Sequence, residues 1–448
     1  MTIGQARAAT ADYLARLESA LDAAPAEVRD AAVNAAREEL SWLDSRATLG
    51  RIDEWGDPQT TAARLLRPEP VIDCLVIGAG PAGLAVAYSL AREGRSVVVL
   101  EQGDQVGMSW RSHRAGLRQH TLRRLSGLPG TPIPRARGRY VTSADFVSYL
   151  EEYVQAHGID IRFGTITQGV QPITHDVARW AVPTNSGRTY LARTVVVATG
   201  YNRRPFVPDL PGRFSYPRPV MHVADFRPAP HFRGRDVLVI GAGNAAAEAA
   251  VELAQAGSRV RMSIRTPPHI VRRRVLGFSA QTVAVALSAL PTGPANLVAS
   301  ALSRMTVPDL ADRNLPRPRP DLFTRVRRDR SVPVHDTGIV AMIDAGRVEP
   351  VAAVVGFEND SVRLADGALI TPDLVIAATG YRRDLEALLP GLNLLDEAGN
   401  PRHHSGEEAA PGIYFTGFTV SAKGALRDIR KEAGRIATAV GRGAERTL

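Results

Sequence analysis

One short segment, GAGPAG at residues 78–83, constrains the fold of this chain more strongly than any other feature. It follows the apolar run VIDCLVI and precedes the helical pattern AGLAVAYSLARE, so it forms the turn of a strand-turn-helix unit. In such a unit the first glycine permits a tight turn, the second lets a pyrophosphate reach the backbone, and the third lets helix and strand pack closely. The phosphates lie at the helix N-terminus, where free amide groups and the helix dipole stabilise negative charge. The sequence therefore predicts dinucleotide contacts from Gly78, Gly80, Pro81, Ala82 and Gly83.

A second turn of the same kind, GAGNAA at residues 241–246, follows the apolar strand VLVI. The strand after the first turn ends in Glu101, and an acid at that distance can bind the hydroxyl groups of a ribose. The strand after the second turn ends in Arg265, which can form paired hydrogen bonds with a 2′-phosphate that an acid would repel. We therefore expect FAD at the first turn and NADPH at the second, although Arg265 could instead be one more solvated arginine. The predicted contacts at the second turn are Gly241, Gly243, Asn244, Ala246 and Arg265.

The order of features along the 448 residues indicates nested domains, and a chain of this length is long enough for two or three. Strand-helix-strand units begin at Val71 and again at Asp236. Near the C-terminus, the segments DLVIAATG and GIYFTG resemble the strands of the first unit. The predicted fold is α/β, with two Rossmann-like dinucleotide-binding domains, the second inserted in the first, and a small N-terminal all-α module. The predicted boundaries are 1–67 for the helical module, 68–203 and 372–448 for the FAD-binding domain, and 204–371 for the NADPH-binding domain.

Residues 10–66 have helical periodicity, with a first apolar face formed by Tyr13, Leu14, Leu17 and Leu21. Asp57 and Pro58 suit a helix start, because aspartate caps free amide groups and proline fits the first helical position. The segment DYLARLESALDAAPAEVRDAAVNAAREEL followed by WGDPQTTAARLL resembles the HAAS-type helical signalling module. The alternative is a helical extension that packs on its own catalytic domain or on a second subunit. A signalling module, or an extension that packs on a second subunit, would make residues 10–66 a site of homodimer or partner contact.

Composition excludes several other classes of protein. The net charge of +9 comes almost wholly from arginine, but the clusters at residues 272–274 and 325–330 lack the neighbouring aromatic residues of a nucleic-acid site. A single cysteine, Cys74, can form neither an intramolecular disulfide nor a redox pair. The sequence shows no signal-peptide pattern, no uninterrupted apolar span of about 20 residues and no metal-ligand cluster. We expect a cytoplasmic protein that binds no nucleic acid, no metal and no integral membrane site.

Beyond the glycine turns, residues 70–440 resemble the class B flavin monooxygenases, and within them the YUCCA-like branch of the flavin-containing monooxygenases. The segments that carry this resemblance are VGMSWRSHRAGLRQHTLRRLSGLPGTPIP, YVTSADFVSYLEEYV, VVVATGYNRRPFVPDLPG, SVPVHDTGIVAMIDAGRVEPV, LVIAATGYRRDL and GIYFTGFTVSAKGALRDIRKEAGRIA. One segment departs from the family pattern. The signature FxGxxxH is replaced by FSYPRPVMH, in which Phe214 and His222 remain, the glycine is missing and two residues are added.

The resemblance implies that NADPH reduces FAD, that O2 adds to the reduced flavin as a C4a-(hydro)peroxide, and that a small organic substrate is then oxygenated. It implies catalytic roles for His120 and His222 and further cofactor contacts. Those contacts are Trp110, Thr199, Gly200, Gly380 and Gly417. Trp110 could instead be core packing, His120 an ordinary buried histidine, and His222 a structural hydrogen-bonding residue at the domain hinge.

The resemblance also limits the substrate. It suggests a 2-oxo acid such as indole-3-pyruvate, oxidised with loss of CO2, or a soft nitrogen or sulfur centre. The alternatives are a two-domain NADPH:acceptor oxidoreductase, a Baeyer–Villiger monooxygenase, and a non-catalytic adaptor. Residues 276–306 are predicted to form two apolar helices around a break at Pro291–Pro294, as a substrate lid, a membrane-facing surface or domain packing.

Overall fold

Two mainly parallel β-sheets, one for each glycine turn, form the framework of the protein. The computed structural model describes residues 3–22, 29, 33, 57–59, 71–112, 117–227 and 232–445. Its strands, in chain order, are β1 (Ile72–Ile77), β2 (Val97–Leu100), β3 (Ile161–Arg162), β4 (Gln171–Pro172), β5 (Trp180–Pro183), β6 (Thr189–Val197), β7 (Arg204–Pro205), β8 (Val220–His222), β9 (Asp236–Ile240), β10 (Arg259–Ser263), β11 (Ile270–Arg272), β12 (Arg274–Val275), β13 (Phe278–Ser279), β14 (Val334–Asp336), β15 (Val348–Val351), β16 (Val354–Glu358), β17 (Ser361–Leu364), β18 (Leu369–Ile370), β19 (Leu374–Ala377), β20 (Tyr381–Arg382), β21 (Glu408–Ala410) and β22 (Ile413–Phe415).

The helices of the described residues are, in chain order, α1 (Ile3–Ala20), α2 (Pro81–Arg92), α3 (Met108–Arg111), α4 (Arg123–Ser126), α5 (Ser143–His157), α6 (Asn244–Gln255), α7 (Ala280–Leu287), α8 (Thr292–Thr306), α9 (Leu322–Asp329), α10 (Ile339–Asp344), α11 (Leu385–Leu388) and α12 (Ala425–Glu445). Short 3-10 turns occupy Arg135–Arg137, Arg213–Ser215 and Ala311–Arg313. No helix among the described residues combines the length and apolarity that crossing a bilayer requires.

The first sheet has the order β21-β22-β6-β1-β2-β3, and its strands from β22 to β3 run parallel. Successive residues of β1 are buried on opposite faces. Cys74 and Val76 belong to the apolar cluster that contains Leu84 of α2, whereas Leu75 and Ile77 belong to the cluster on the other face. A strand buried on both faces is typical of a parallel sheet covered by other elements on each side.

The second sheet is fully parallel, with the order β15-β10-β9-β19-β8. Val237 and Val239 of β9 pack in the cluster that contains Leu253 of α6, and Leu238 packs on the other face with Phe357. This second doubly covered sheet lies between the segments that build the first, which confirms the predicted fold class.

The chain crosses between the two sheets twice, and the two crossings are adjacent. Strands β7 and β20 pair antiparallel there, joining Arg204 to Arg382 and Pro205 to Tyr381. Strand β19, which falls inside our predicted segment 372–448, hydrogen-bonds in the second sheet between β9 and β8. Because β19 belongs to the second sheet, the chain returns to the first sheet only after Ala377. The exact division between the two domains stays a prediction.

Local predictions agree with several elements. The segment YVTSADFVSYLEEYV has apolar residues at helical spacing and forms α5, which Thr142 caps by accepting a hydrogen bond from the Asp145 amide and which ends at left-handed Gly158. The predicted pair of helices around the Pro291–Pro294 break corresponds to α7 and α8.

The N-terminal segment is described only in part. Tyr13, Leu14, Leu17 and Leu21 are buried, as their spacing predicts. The amide of Gln59 donates to the Asp57 carboxylate over 3.0 Å, in the expected capping arrangement. Most of residues 23–70 lie outside the described residues, so the likeness to a HAAS-type module and the partner contact through residues 10–66 stay predictions.

Candidate functional site

The first glycine turn has the shape that a pyrophosphate requires. Gly78 has φ +108°, and a Cβ added there would lie 2.6 Å from the Ala198 carbonyl oxygen. A Cβ on Gly83 would lie 1.8 Å from the Gly78 carbonyl oxygen, so only glycine permits this approach of helix and strand. At Gly80, the residue before α2, no described atom lies within 4 Å of the Cβ position. This open space above the start of a helix fits the phosphates of FAD.

Glu101 lies directly after β2, at the same edge of the sheet as the turn. It is buried, and its carboxylate accepts hydrogen bonds from the Ala79 amide over 2.7 Å and the Gly103 amide over 2.9 Å. The backbone thus holds the carboxylate beside the turn, and each oxygen keeps a second lone pair for a ribose hydroxyl. Its role as the ribose ligand stays a prediction, supported by this position.

Three further predicted FAD contacts lie around the same edge. The Thr199 hydroxyl is buried without a partner among the described residues, and Gly200 follows it with φ +88° and open space at its Cβ position. Gly417 lies against the turn, since a Cβ there would be 2.9 Å from the Ala82 Cβ. Trp110 is half-buried and packs on Phe146, with ring centroids 4.5 Å apart. This packing fits the core interpretation of Trp110, and its contact with the cofactor stays a prediction.

Sequence reasoning missed Glu432, a buried acid behind this site. Its carboxylate accepts hydrogen bonds from the Thr416 hydroxyl over 3.0 Å and the Gly417 amide over 2.9 Å. Burial raises the pKa of Glu432 above its ordinary value. Its signal in the sequence is an acid within the apolar stripe of α12, where Ala433 and Ile436 are also buried. Glu432 therefore fixes the loop that carries Gly417.

The second turn repeats the first with one change. Gly241 has φ +130°, and a Cβ there would lie 2.4 Å from the Ala378 carbonyl oxygen, while the Cβ position of Gly243 is open. Ala246, which replaces the third glycine, is fully buried. Arg265 follows β10, is exposed, and forms no hydrogen bond or ion pair within the described part of the chain. These residues therefore fit a dinucleotide with a 2′-phosphate, because Arg265 has no other partner among the described residues and would bind that phosphate.

Asn244 connects this turn to β14. Its side-chain amide donates to the Pro333 carbonyl over 3.2 Å, and its carbonyl oxygen accepts from the His335 amide over 2.8 Å. The predicted NADPH turn and the strand that carries His335 are therefore held together by one side chain.

His120 lies at the junction of the two domains. Its Nε2 is 3.1 Å from Oε1 of Glu248, on the helix that follows the second turn. Its ring stacks on His335 with centroids 4.8 Å apart and planes 11° apart. The Nδ1 atoms of both histidines are buried without partners among the described residues. Burial and the charges of neighbouring groups lower the pKa of His335 to about 3, so that ring is neutral at physiological pH.

A cavity of about 540 Å³ opens beside His335. Helices α7 and α8 form much of its wall, together with residues 317–324 and the loop residue Ala422. Just over half of the lining residues are apolar, and four arginines are among the others. A concave, largely apolar pocket with a few polar groups is the usual form of a small-molecule site, and its volume lies within the range of about 300–1,000 Å³.

His222 lies at the crossing of the two domains, apart from this cavity. It is 4% exposed; its Nδ1 accepts a hydrogen bond from the Ala224 amide over 3.1 Å, so Nε2 carries the proton and donates to the Gly380 carbonyl over 3.0 Å. Burial lowers the pKa of His222, which favours this neutral form. With both nitrogens bound to backbone, His222 matches the hinge interpretation, and a catalytic role stays a prediction.

Replacing His222 with alanine is expected to destabilise the protein by about 1–3 kcal/mol, because a buried amide and a buried carbonyl lose their partner. Urea unfolding of the holoenzyme measures this change. The control is His403→Ala at an exposed position, which should stay within about 0.5 kcal/mol of the parent. A His222→Ala protein of unchanged stability and lower kcat would assign His222 to catalysis instead.

Sequence comparison relates the chain to nucleotide-dependent flavoproteins. Residues 75–276 match the family described as pyridine nucleotide-disulphide oxidoreductase. Since the whole sequence contains one cysteine, it has no cysteine pair for dithiol chemistry. Indole-3-pyruvate monooxygenase YUCCA1 of Oryza sativa subsp. japonica is 32% identical over 361 residues, which cover 77% of this chain and 86% of the rice protein.

Solved structures share the two-sheet architecture. A flavin-containing monooxygenase from Stenotrophomonas maltophilia has a TM-score of 0.61 and 25% identity, covering 82% of this chain and 98% of the bacterial protein. Cyclohexanone monooxygenase bound to ε-caprolactone has a TM-score of 0.64 and 19% identity, covering 84% of this chain and 88% of that protein. At that lower identity the likeness concerns the fold alone.

Proposed function

The chain belongs to the family of flavin-containing monooxygenases that includes the YUCCA indole-3-pyruvate monooxygenases, and we propose that it oxygenates a 2-oxo acid with an aromatic side chain. It is an oxidoreductase that uses FAD, NADPH and O2. The observation that carries the substrate proposal is the 32% identity with the rice indole-3-pyruvate monooxygenase, over 86% of that enzyme's length.

The residues of this chain divide the work of holding the two cofactors. The turn at residues 78–83 and Glu101 would hold FAD, and the turn at residues 241–246 and Arg265 would hold NADPH. When bound, these cofactors supply hydride transfer and the activation of O2. The chain itself contributes the orientation of both dinucleotides and the exclusion of water from the space between them.

The cavity beside His335 supports an apolar organic acid as the substrate. Its wall from α7 is largely apolar, which suits an aromatic ring, and its arginines suit a negatively charged group. Gln281 of α7 ties this wall to the FAD-binding side, because its carbonyl oxygen accepts from the Leu122 amide over 2.7 Å and its amide donates to the Lys423 carbonyl over 2.8 Å. This contact encloses the cavity from the side of the first domain.

The proposed reaction is an oxidative decarboxylation. The 2-oxo acid, O2, NADPH and a proton give the carboxylic acid shorter by one carbon, CO2, NADP⁺ and water. One oxygen atom of O2 enters the new carboxylate and the other leaves as water, while the bond between the oxo carbon and the old carboxylate breaks. NADPH supplies the two electrons that the second oxygen atom requires.

The test uses purified holoenzyme with NADPH in air-saturated buffer. Addition of indole-3-pyruvate is expected to accelerate NADPH oxidation by at least about tenfold and to reduce the H2O2 released per NADPH to a minor fraction. Indole-3-acetate and CO2 should form in amounts equal to the NADPH consumed. The control is indole-3-lactate, which has the same ring and carboxylate but a hydroxyl in place of the oxo group.

Two outcomes would contradict this proposal. Equal stimulation by indole-3-lactate, or NADPH oxidation that releases only H2O2 with every 2-oxo acid, would remove 2-oxo acids as the substrate class. Reduction of the flavin without any reaction with O2 would instead favour an NADPH:acceptor oxidoreductase.

We place the enzyme in the cytoplasm, which suits a chain whose single cysteine is buried and unpaired. Residues 10–66 remain our candidate for contact with a second copy or another partner.

A further inference from the structure

Several buried polar atoms without partners lie close together where the two domains meet. Besides Nδ1 of His120 and Nδ1 of His335, the Tyr140 hydroxyl and the Nε atom of Arg273 have no hydrogen-bond partner among the described residues. The Arg273 guanidinium lies 5.7 Å from the centre of the Tyr140 ring, and its charge acts on His335. Buried polar groups in native proteins are nearly always satisfied, so a group of this kind indicates a missing partner.

The three consecutive arginines at residues 272–274 have different surroundings. Only Arg273 is both half-buried and without an ion pair within the described part of the chain. Arg272 is committed, because it forms an ion pair with the buried Asp336 carboxylate and donates to the Thr306 carbonyl. Arg274 is exposed and donates to the Gly277 carbonyl. Arg273 is half-buried and has the stacking contact with Tyr140 but no ion pair within the described part of the chain. Its charge is therefore available to an incoming anion.

The position of this group suits the charged end of a ligand in the cavity. His335 lines the cavity and stacks on His120, and the charge of Arg273, whose guanidinium faces the Tyr140 ring, acts on His335. The carboxylate of Glu248 faces Nε2 of His120, so this acid already has a partner. The group consequently offers a cation, a hydroxyl donor and the neutral imidazole of His335, and a carboxylate accepts hydrogen bonds from donors of these kinds.

We propose that Arg273, Tyr140 and His335 form the subsite that binds the carboxylate of the substrate, next to the part of the cavity wall that His335 forms. The assignment rests on the proposed function, because it concerns the charged group of a 2-oxo acid. Arg273 supplies the charge and the Tyr140 hydroxyl a hydrogen bond. His120, held by Glu248, acts as a positioning residue that fixes the His335 ring.

The experiment measures binding rather than turnover. Holoenzyme is dialysed to equilibrium against indole-3-acetate or indole-3-acetamide, which differ only in the charged group. The parent is expected to prefer the carboxylate, and Arg273→Met is expected to raise its Kd about 10- to 100-fold, as for loss of a charge-assisted hydrogen bond. The Kd of the amide should stay within about threefold. Arg273→Lys should restore part of the preference, and Tyr140→Phe should reduce it by a smaller factor.

Arg274→Met is the matched control, since it removes the same charge from the exposed neighbour and should leave both Kd values unchanged. The FAD content and the KM for NADPH of each variant are measured alongside. If Arg273→Met does not fold, Arg273→Lys and Tyr140→Phe provide the same comparison.

The results separate this assignment from the proposed function. An unchanged ratio of the two Kd values in Arg273→Met, a parent without preference for the carboxylate, or an effect on NADPH alone would overturn the subsite. A parent that turns over 2-oxo acids while Arg273→Met keeps its preference contradicts only the subsite. A parent that binds carboxylates through Arg273 but oxidises no 2-oxo acid contradicts only the proposed substrate.

Discussion

Replacing Gly80 with alanine is expected to give a folded protein that retains FAD at least about 100-fold more weakly, whereas Gly83→Ala should prevent folding of the domain. The difference follows from what an added methyl group would meet. At Gly80 it would enter the open space that a pyrophosphate needs, and the hydrogen bonds between backbone amides and phosphate would be lost. At Gly83 it would lie 1.8 Å from a backbone oxygen, which cannot move without separating helix from strand. We expect a cost of more than about 3 kcal/mol there.

The measurements are the ratio of flavin absorbance to protein absorbance after purification, the FAD Kd of the apoprotein, and the midpoint of urea unfolding. Gly434→Ala in the middle of α12 is the matched control, because no described atom outside the helix lies within 4 Å of its Cβ position. It should leave FAD binding unchanged and stabilise the helix by up to about 1 kcal/mol. Full FAD retention by Gly80→Ala would mean that the pyrophosphate does not lie over this turn.

Both turns could be predicted from the sequence because their cause is local. A strand, a turn of six residues and a helix occupy consecutive positions. Where an added Cβ would meet backbone atoms, those atoms belong to the same unit or to the end of the adjacent strand. The positions of Glu101 and Arg265 could be predicted for a related reason, since parallel neighbouring strands bring their carboxyl ends to one edge of the sheet.

The junction between the domains could not be predicted in this way. His120 and His335 stack although they belong to different domains, and neither ring has a periodic or spacing signal in its own segment. The arginines at residues 272–274 show the same limitation. Arg272 forms an ion pair, Arg273 packs against Tyr140 and Arg274 is exposed, although the residue type is the same at all three positions. Only the tertiary contacts distinguish them.

The altered signature around His222 has a structural explanation that sequence comparison alone could not give. The imidazole needs the Ala224 amide and the Gly380 carbonyl as partners, and both are backbone groups. Backbone partners do not depend on the side chains of residues 214–221, so the missing glycine and the two added residues leave the hinge contact intact. The segment therefore keeps His222, which connects the two crossings, although the residues before it differ from the family signature.

Replacing Arg265 with alanine is expected to raise the KM for NADPH by about 10- to 100-fold and the KM for NADH by less than about threefold. The only difference between these cofactors is the 2′-phosphate, and each charge-assisted hydrogen bond to a phosphate is worth about 1.5–3 kcal/mol. Strand β10 runs parallel to β9, and the Gly241 amide donates to the Ser263 carbonyl over 3.0 Å, so Arg265 follows at the same edge as the turn. Its side chain is exposed, so the effect should weaken as ionic strength rises.

Arg259→Ala is the matched control for this prediction, because Arg259 is an exposed arginine at the opposite end of the same strand. It removes the same charge from the protein and should change the two KM values by the same small factor. Steady-state oxidation of NADPH and NADH, with FAD content equal in all three proteins, gives the ratio of kcat/KM values. Equal losses with both cofactors in Arg265→Ala would show that this arginine does not bind the phosphate. Ile264, between β10 and Arg265, is half-buried, and Thr266 is the next exposed residue. The preference for NADPH would then have to come from Thr266 or from residues elsewhere in the chain.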